Sequence, residues 1–219
     1  ELPFVGDEMF GTEVATPWLD VLGEEGVLHR EGDRWEWIVD GYPAIAVLNA
    51  GHCTLWSRNH KKLAGYPEVT EAVESLPCRD AILDGEIVAL DAEGRSRFQL
   101  LQGRDASGER PPILYYVFDL LRRDGRSLVA AAIEERRAAL EELAGSCTGG
   151  ALRLSPVFDL SPATLLAEVR RKGLEGIVAK AAGSPYEPDR RSGAWAMGRV
   201  TGEQEFVIGG FTPPRGSRA

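Results

Sequence analysis

At 219 residues the chain can form one large domain or two small ones, and its 43% hydrophobic content excludes a disordered or fibrous protein. A formal net charge of −9 argues against a protein that wraps nucleic acid over most of its surface, because phosphate affinity grows with each cationic contact. The chain has no apolar run of spanning length and no basic stretch leading into an apolar one, so neither a membrane span nor a signal peptide is expected, and a soluble cytoplasmic protein is.

In chain order, residues 34 to 39, 44 to 49 and 53 to 57 read as strands, with Asn49-Ala50-Gly51 as the tight turn between the last two. Asp40-Gly41 then falls in a strand-to-strand turn. Pro67 opens a short helix whose Val69, Ala72, Val73 and Leu76 share one face. Strands are expected at 81 to 90, ending in the turn Asp91-Ala92-Glu93-Gly94, and at 113 to 119. A helix follows over 130 to 144. Another begins at Ser161-Pro162, a capping residue followed by proline in the first turn, and ends before Gly173. A strand over 174 to 180 completes the pattern, which suggests α+β layers rather than a regular parallel sheet.

Cys53, Cys78 and Cys147 are odd in number and lack the spacing of a zinc site or a disulfide framework, so they are expected to be buried thiols. His29, His52 and His60 form no metal-ligand spacing either. A local basic strip has candidates in Arg95, Arg97, Arg104, Arg122, Arg123, Arg136, Arg137, Arg170 to Lys172, Arg190 and Arg191, although a solvated face explains most of them.

Chemistry enters at Trp35-Glu36-Trp37-Ile38-Val39-Asp40-Gly41-Tyr42-Pro43. An Asp-Gly pair is by itself a common turn. The segment nevertheless resembles the Lys-x-Asp-Gly-x-Arg active-site motif of ATP-dependent DNA ligases, with Ile38 at the lysine position and Pro43 at the arginine position. Further segments resemble the family's later motifs in order. These are Ser57-Arg58-Asn59, Leu83-Asp84-Gly85-Glu86-Ile87-Val88, Tyr116-Val117-Phe118-Asp119-Leu120-Leu121, Gly173 to Lys180 and Ser184-Pro185-Tyr186. Trp195-Ala196-Met197-Gly198-Arg199 stands where the family has Trp-x-Lys-x-Lys. The resemblance covers about residues 30 to 212 and is nearest to the bacterial ligase D type.

That resemblance implies a ligase nucleotidyltransferase fold, two antiparallel sheets flanked by helices around a nucleotide groove. It makes residues 1 to 204 that domain and residues 205 to 219 a linker with the first strand of an oligonucleotide-binding barrel, whose remainder is expected to be absent. It implies a bacterial cytoplasmic setting. It also places Glu36, Asp40, Gly41, Arg58, Glu86, Phe118, Lys180 and Arg199 about ATP, with Phe118 stacking on adenine, Arg58 reaching ribose or phosphate, and Glu86 and Glu175 contacting ribose or holding Mg2+. Each has a plainer alternative: Phe118 as a core residue, Glu86 as a turn carboxylate, Glu175 as the partner of a nearby arginine.

Family members attack ATP with the motif lysine, and isoleucine has no lone pair with which to bond phosphorus. The other lysines, Lys61, Lys62, Lys172 and Lys180, are all distant in sequence from position 38. Cations are missing at positions 38, 43 and 197. At about 1.5 to 3 kcal/mol per charge-assisted hydrogen bond, the loss is roughly 4 to 9 kcal/mol, enough to take a micromolar ATP site to millimolar or weaker. The expectation is a ligase-like module that does not self-adenylate and serves DNA end joining as a binding or scaffold unit, with nicked or broken DNA or another repair protein as partner. The alternatives are a residual ligase that seals pre-adenylated nicks and a nucleotide-binding sensor.

Overall fold

The computed structural model describes residues 34–107, 110–145, 150–158, 161–172, 174–188 and 193–199. The expected barrel strand near 205 to 211, together with His29, Cys147, Arg190 and Arg191, lies outside these residues. Four strands form one sheet: β1 (Arg34–Ile38), β8 (Val157–Phe158), β9 (Gly176–Lys180) and β10 (Trp195–Arg199), in the order β10-β9-β1-β8 and all antiparallel. Six form the other: β2 (Tyr42–Asn49), β3 (His52–Ser57), β4 (Asp80–Ala89), β5 (Ile113–Arg123), β6 (Arg126–Ser127) and β7 (Leu152–Leu154).

This second sheet departs from the expected antiparallel pattern at one edge, where β7 runs parallel to β5. The cause is topological: the chain leaves β5 and returns through a helix, and such a crossover delivers a parallel strand where a hairpin cannot. The helix is α3 (Ile133–Gly145), which follows α1 (Pro67–Glu74) and α2 (Phe98–Ser107) and precedes α4 (Pro162–Lys172). Ser161 Oγ accepts a hydrogen bond from Thr164 N, so α4 has the cap its sequence offers.

Alternation along the strands divides the molecule into layers. Ala44, Ala46 and Leu48 of β2, Leu83 and Ile87 of β4, and Tyr115 and Val117 of β5 pack with Val69 and Val73 of α1 and Leu140 and Leu143 of α3 in the main core. The opposite face of the same sheet carries Ile45, Ile82 and Leu121, packed with Tyr186, Trp56 and Trp195. Ile177, Ala179 and Ala196 turn the outer face of the four-stranded sheet onto Leu165, Leu166 and Val169 of α4. The inner faces of the two sheets therefore look at each other, and the candidate site lies between them.

Two glycines are dictated by close approach. A Cβ at Gly41 would lie 2.5 Å from the Ile87 carbonyl oxygen, and one at Gly85 would lie 2.5 Å from that of Tyr116 and 2.6 Å from the Tyr115 ring. The β2–β3 hairpin closes on Ala50 and Gly51 at φ 49° and 83°, a pair of left-handed residues that matches the twist of the strands.

α2 was not expected from the sequence. Its first backbone N–H, at Phe98, is accepted by Asp40 Oδ2 at 3.1 Å, and Asp40 N donates to Ser96 Oγ at 3.1 Å. Asp40 therefore holds the helix start from outside its own stretch of sequence. The thiols also differ from expectation: Cys53 and Cys78 are half-buried rather than buried.

Candidate nucleotide groove

Backbone register sets the inner face of the four-stranded sheet. Across β1, β9 and β10, Arg34 meets Lys180 and Trp195, Glu36 meets Val178 and Met197, and Ile38 meets Gly176 and Arg199. Directly opposed residues share a face, so Val178, Lys180, Trp195 and Met197 lie opposite to the face that packs on α4. Position 38 ends β1 beside Gly176, immediately after Glu175.

Lys180 is the most enclosed charge here. Its Nζ lies 2.8 Å from Glu36 Oε1, the two side chains being 1% and 3% exposed. The ammonium also sits 4.3 Å from the Trp195 ring centroid and 4.7 Å from that of Phe118, and donates to the Phe118 carbonyl at 3.5 Å. Carboxylate and aromatic faces together replace its hydration.

Phe118 owes its position to a β-bulge. Asp84 pairs with Asp119 but Gly85 pairs with Val117, which leaves Phe118 as the extra residue of β5. A bulge re-aims side chains, and here the half-buried Phe118 ring meets Trp195 edge-on at 6.1 Å.

Opposite stand the carboxylates. Glu86 on β4 is flanked in register by Pro43 on β2 and Tyr116 on β5. Its carboxyl is pushed well above the usual range, first by burial and then by the charges of Asp84, Glu175 and Asp40, with Arg58 opposing. Those influences place Glu86, Glu175, Asp40 and Arg58 in one electrostatic neighbourhood. Pro43, at the position where the resemblance implies arginine, leaves Glu86 without a cation on the adjoining strand. Arg58 sits at an exposed turn held by Ser57.

Among the described residues no three His, Cys, Asp or Glu side chains gather into a ready-made metal cage. A buried carboxylate whose proton affinity is raised by a second carboxylate still suits Mg2+, which takes one or two carboxylates and fills its shell with water and phosphate oxygens. Glu86 and Glu175 are the pair that would hold it, and the ion would neutralise phosphate charge.

Beneath the groove lies a buried network that sequence reasoning missed. Tyr186 OH donates to Asp84 Oδ2 at 2.9 Å, and Arg136 grips Asp119 through Nε and Nη2 at 2.8 and 2.9 Å. Arg136 Nη1 also donates to the carbonyls of Ala131 and Ser184. Burial, only partly offset by the Tyr186 hydrogen bond, lifts Asp84 to about 7. Arg136 and Arg137 were expected on a solvated face, yet Arg136 is wholly buried and Arg137 nearly so. The available signal was Asp119 at the end of an apolar strand, a charge that demands a partner once buried.

The family model for the ATP dependent DNA ligase domain matches residues 24–197. The chain belongs to this ligase domain family. It is 40% identical over 203 residues to the multifunctional non-homologous end joining protein LigD of Pseudomonas aeruginosa, covering 90% of this chain and 24% of the relative. With the LigD of Mycolicibacterium smegmatis it shares 36% identity over 205 residues, covering 91% of this chain and 26% of that one. It thus spans about a quarter of the length of these ligase relatives. Among solved structures, a mycobacterial DNA ligase D complexed with ATP and MES superposes with a TM-score of 0.66 at 30% identity, covering 76% of this chain and 54% of the other. The layers described above are therefore those of a ligase nucleotidyltransferase domain.

Proposed function

We propose that this ligase domain does not form an enzyme–AMP intermediate and works as a non-catalytic binding or scaffold module in DNA end joining. The observation that carries this reading is Ile38 at the end of β1, in register with Gly176 and next to Glu175, at the place where the family motif has its nucleophilic lysine. Isoleucine cannot attack phosphorus.

Lys180 is a poor substitute. Withdrawing it would strand Glu36 as an unpaired buried charge, at about 3 to 5 kcal/mol, whereas a charge-assisted hydrogen bond to phosphate returns about 1.5 to 3 kcal/mol. The ion pair wins. Lys61, Lys62 and Lys172 are exposed. Pro43 and Met197 further reduce the positive charge available to phosphates, which supports weak ATP binding. Placing Glu36, Asp40, Gly41, Arg58, Phe118 and Arg199 about a nucleotide belongs to the same proposal.

The test is incubation with radiolabelled ATP and Mg2+, beside the triple variant Ile38→Lys, Pro43→Arg, Met197→Lys. Covalent label on the variant alone is the expected result. Label on the natural chain would overturn the reading. A second reading, sealing of nicks that already carry 5′-AMP, draws on the proximity of Glu86 and Glu175, because that step does not consume the lysine. Pre-adenylated nicked DNA with Mg2+ tests it, and absence of sealed product eliminates it.

A further inference from the structure

We infer that Glu134 and Arg136 of α3 are positioning residues for the groove: they clamp the β9–β10 connection across the two sheets and so fix the rings of Phe118 and Trp195 as one unit. The connection begins where Ala181 N donates to Ala194 O at 2.7 Å, and it leaves the four-stranded sheet to lay Tyr186 against Ile45, Ile82 and Leu121 of the six-stranded one. Ser184-Pro185-Tyr186, a motif with no part in the function proposed above, makes the crossing.

The crossing is held at successive residues. Gly183 N donates to both carboxylate oxygens of Glu134, each at 3.1 Å, and Gly183 makes the turn at φ 70°, where a side chain would be strained. Arg136 Nη1 donates to Ser184 O at 3.0 Å. Tyr186 N donates to Val129 O at 2.9 Å, and its hydroxyl donates to Asp84 Oδ2 at 2.9 Å. Ser184 Oγ is buried and has no hydrogen-bond partner among the described residues, so the hold of α3 on Ser184 runs through the carbonyl.

Arg136 carries the restraint on to both rings. Its Nε and Nη2 grip Asp119, and Asp119 Oδ1 also accepts Leu120 N at 2.9 Å, which locks β5 directly after the bulge residue Phe118. The same guanidinium lies 5.8 Å from the Tyr186 ring centroid, Tyr186 meets Trp195 edge-on at 6.0 Å, and Trp195 meets Phe118 at 6.1 Å. At the density of a protein interior such a chain of contacts has no slack, so a shift of the crossing moves both rings. Lysine could not replace Arg136, because an ammonium presents its donors from one atom and cannot span a carboxylate and a carbonyl in a plane.

The experiment follows amide hydrogen exchange and the Trp195 indole N–H resonance by NMR in the 219-residue chain and its variants, with the resonance assigned through Trp195→Phe. Glu134→Ala should speed exchange at Gly183, Tyr186 and Leu120 by about tenfold, the equivalent of one hydrogen bond to a charged group, and should shift the indole resonance while Val73 of α1 exchanges as before. Glu134→Gln keeps an acceptor for Gly183 and should restore most of the protection and the resonance position. Ser184→Ala removes only the unpartnered hydroxyl and should change neither, whereas Arg136→Lys should loosen all three amides further than Glu134→Ala does. Faster exchange at Gly183 alone would mark a loop bond that positions nothing, and a uniform rise that includes Val73 would mark a general loss of stability. Either result overturns the inference, as does Glu134→Gln behaving like Glu134→Ala.

Discussion

Replacing Lys180 by methionine tests whether this buried groove cation is structural. Its Nζ lies 2.8 Å from Glu36 Oε1 in a site that excludes water, so the substitution leaves a carboxylate buried and unpaired. Breaking such a pair from one side costs about 3 to 5 kcal/mol, a large part of the roughly 5 to 15 kcal/mol by which a domain is stable. The ring contacts at 4.3 and 4.7 Å deepen the loss by an amount that is not separately additive. The double variant Glu36→Leu/Lys180→Met replaces both charges with apolar groups and should regain most of the stability, since a buried pair exchanged whole is close to neutral. Equilibrium urea unfolding of the four chains closes the thermodynamic cycle, with an expected coupling of about 3 kcal/mol. A Lys180→Met cost below about 1 kcal/mol, with additive single effects, would refute the reasoning and return this lysine to the candidates for phosphate contact.

Asp84 gives a pH dependence of definite sign. Its carboxyl rises from 3.8 to about 7 in the folded state, so the associated stability is fully present below about 3.8 and is lost as pH climbs to about 7. At about 1.4 kcal/mol per unit the full swing is roughly 4 to 5 kcal/mol; urea midpoints at pH 5 and pH 8 should therefore differ less for Asp84→Asn than for the natural chain, and an unchanged difference would refute the assignment. At the β2–β3 turn, Ala50 holds φ 49°, a conformation that asparagine tolerates better, so Ala50→Asn should raise stability by roughly 0.5 to 1 kcal/mol in a thermal melt, and a lowered midpoint would count against strain there.

The strands were legible where a short apolar run is bounded by turn residues, as in β2 and β4, whose observed ends differ from the expected ones by at most two residues. α2 was not legible, because its sequence offers no clear apolar stripe and its start is held by Asp40, 58 positions earlier. Arg136 was misread for a similar reason: a helical arginine is ordinarily solvated, and only the folded chain brings Asp119 to it. Local pattern reaches a few residues, whereas these contacts depend on the sheet having formed.

The same distinction bears on why part of the active-site motif persists. Asp40 fixes the start of α2, and Gly41 fits against Ile87 only because it lacks a Cβ, so both have reasons in the fold that are independent of nucleotide chemistry. Pro43 lies where β2 is paired with β4 but not yet with β3, so its missing N–H breaks no bond to β3. Isoleucine suits a strand as well as lysine does. Asp-Gly therefore has reasons to stand here in the fold alone, whereas the proposed loss of adenylation rests on positions 38 and 43; a motif match scored as a whole gives the two kinds of residue equal weight.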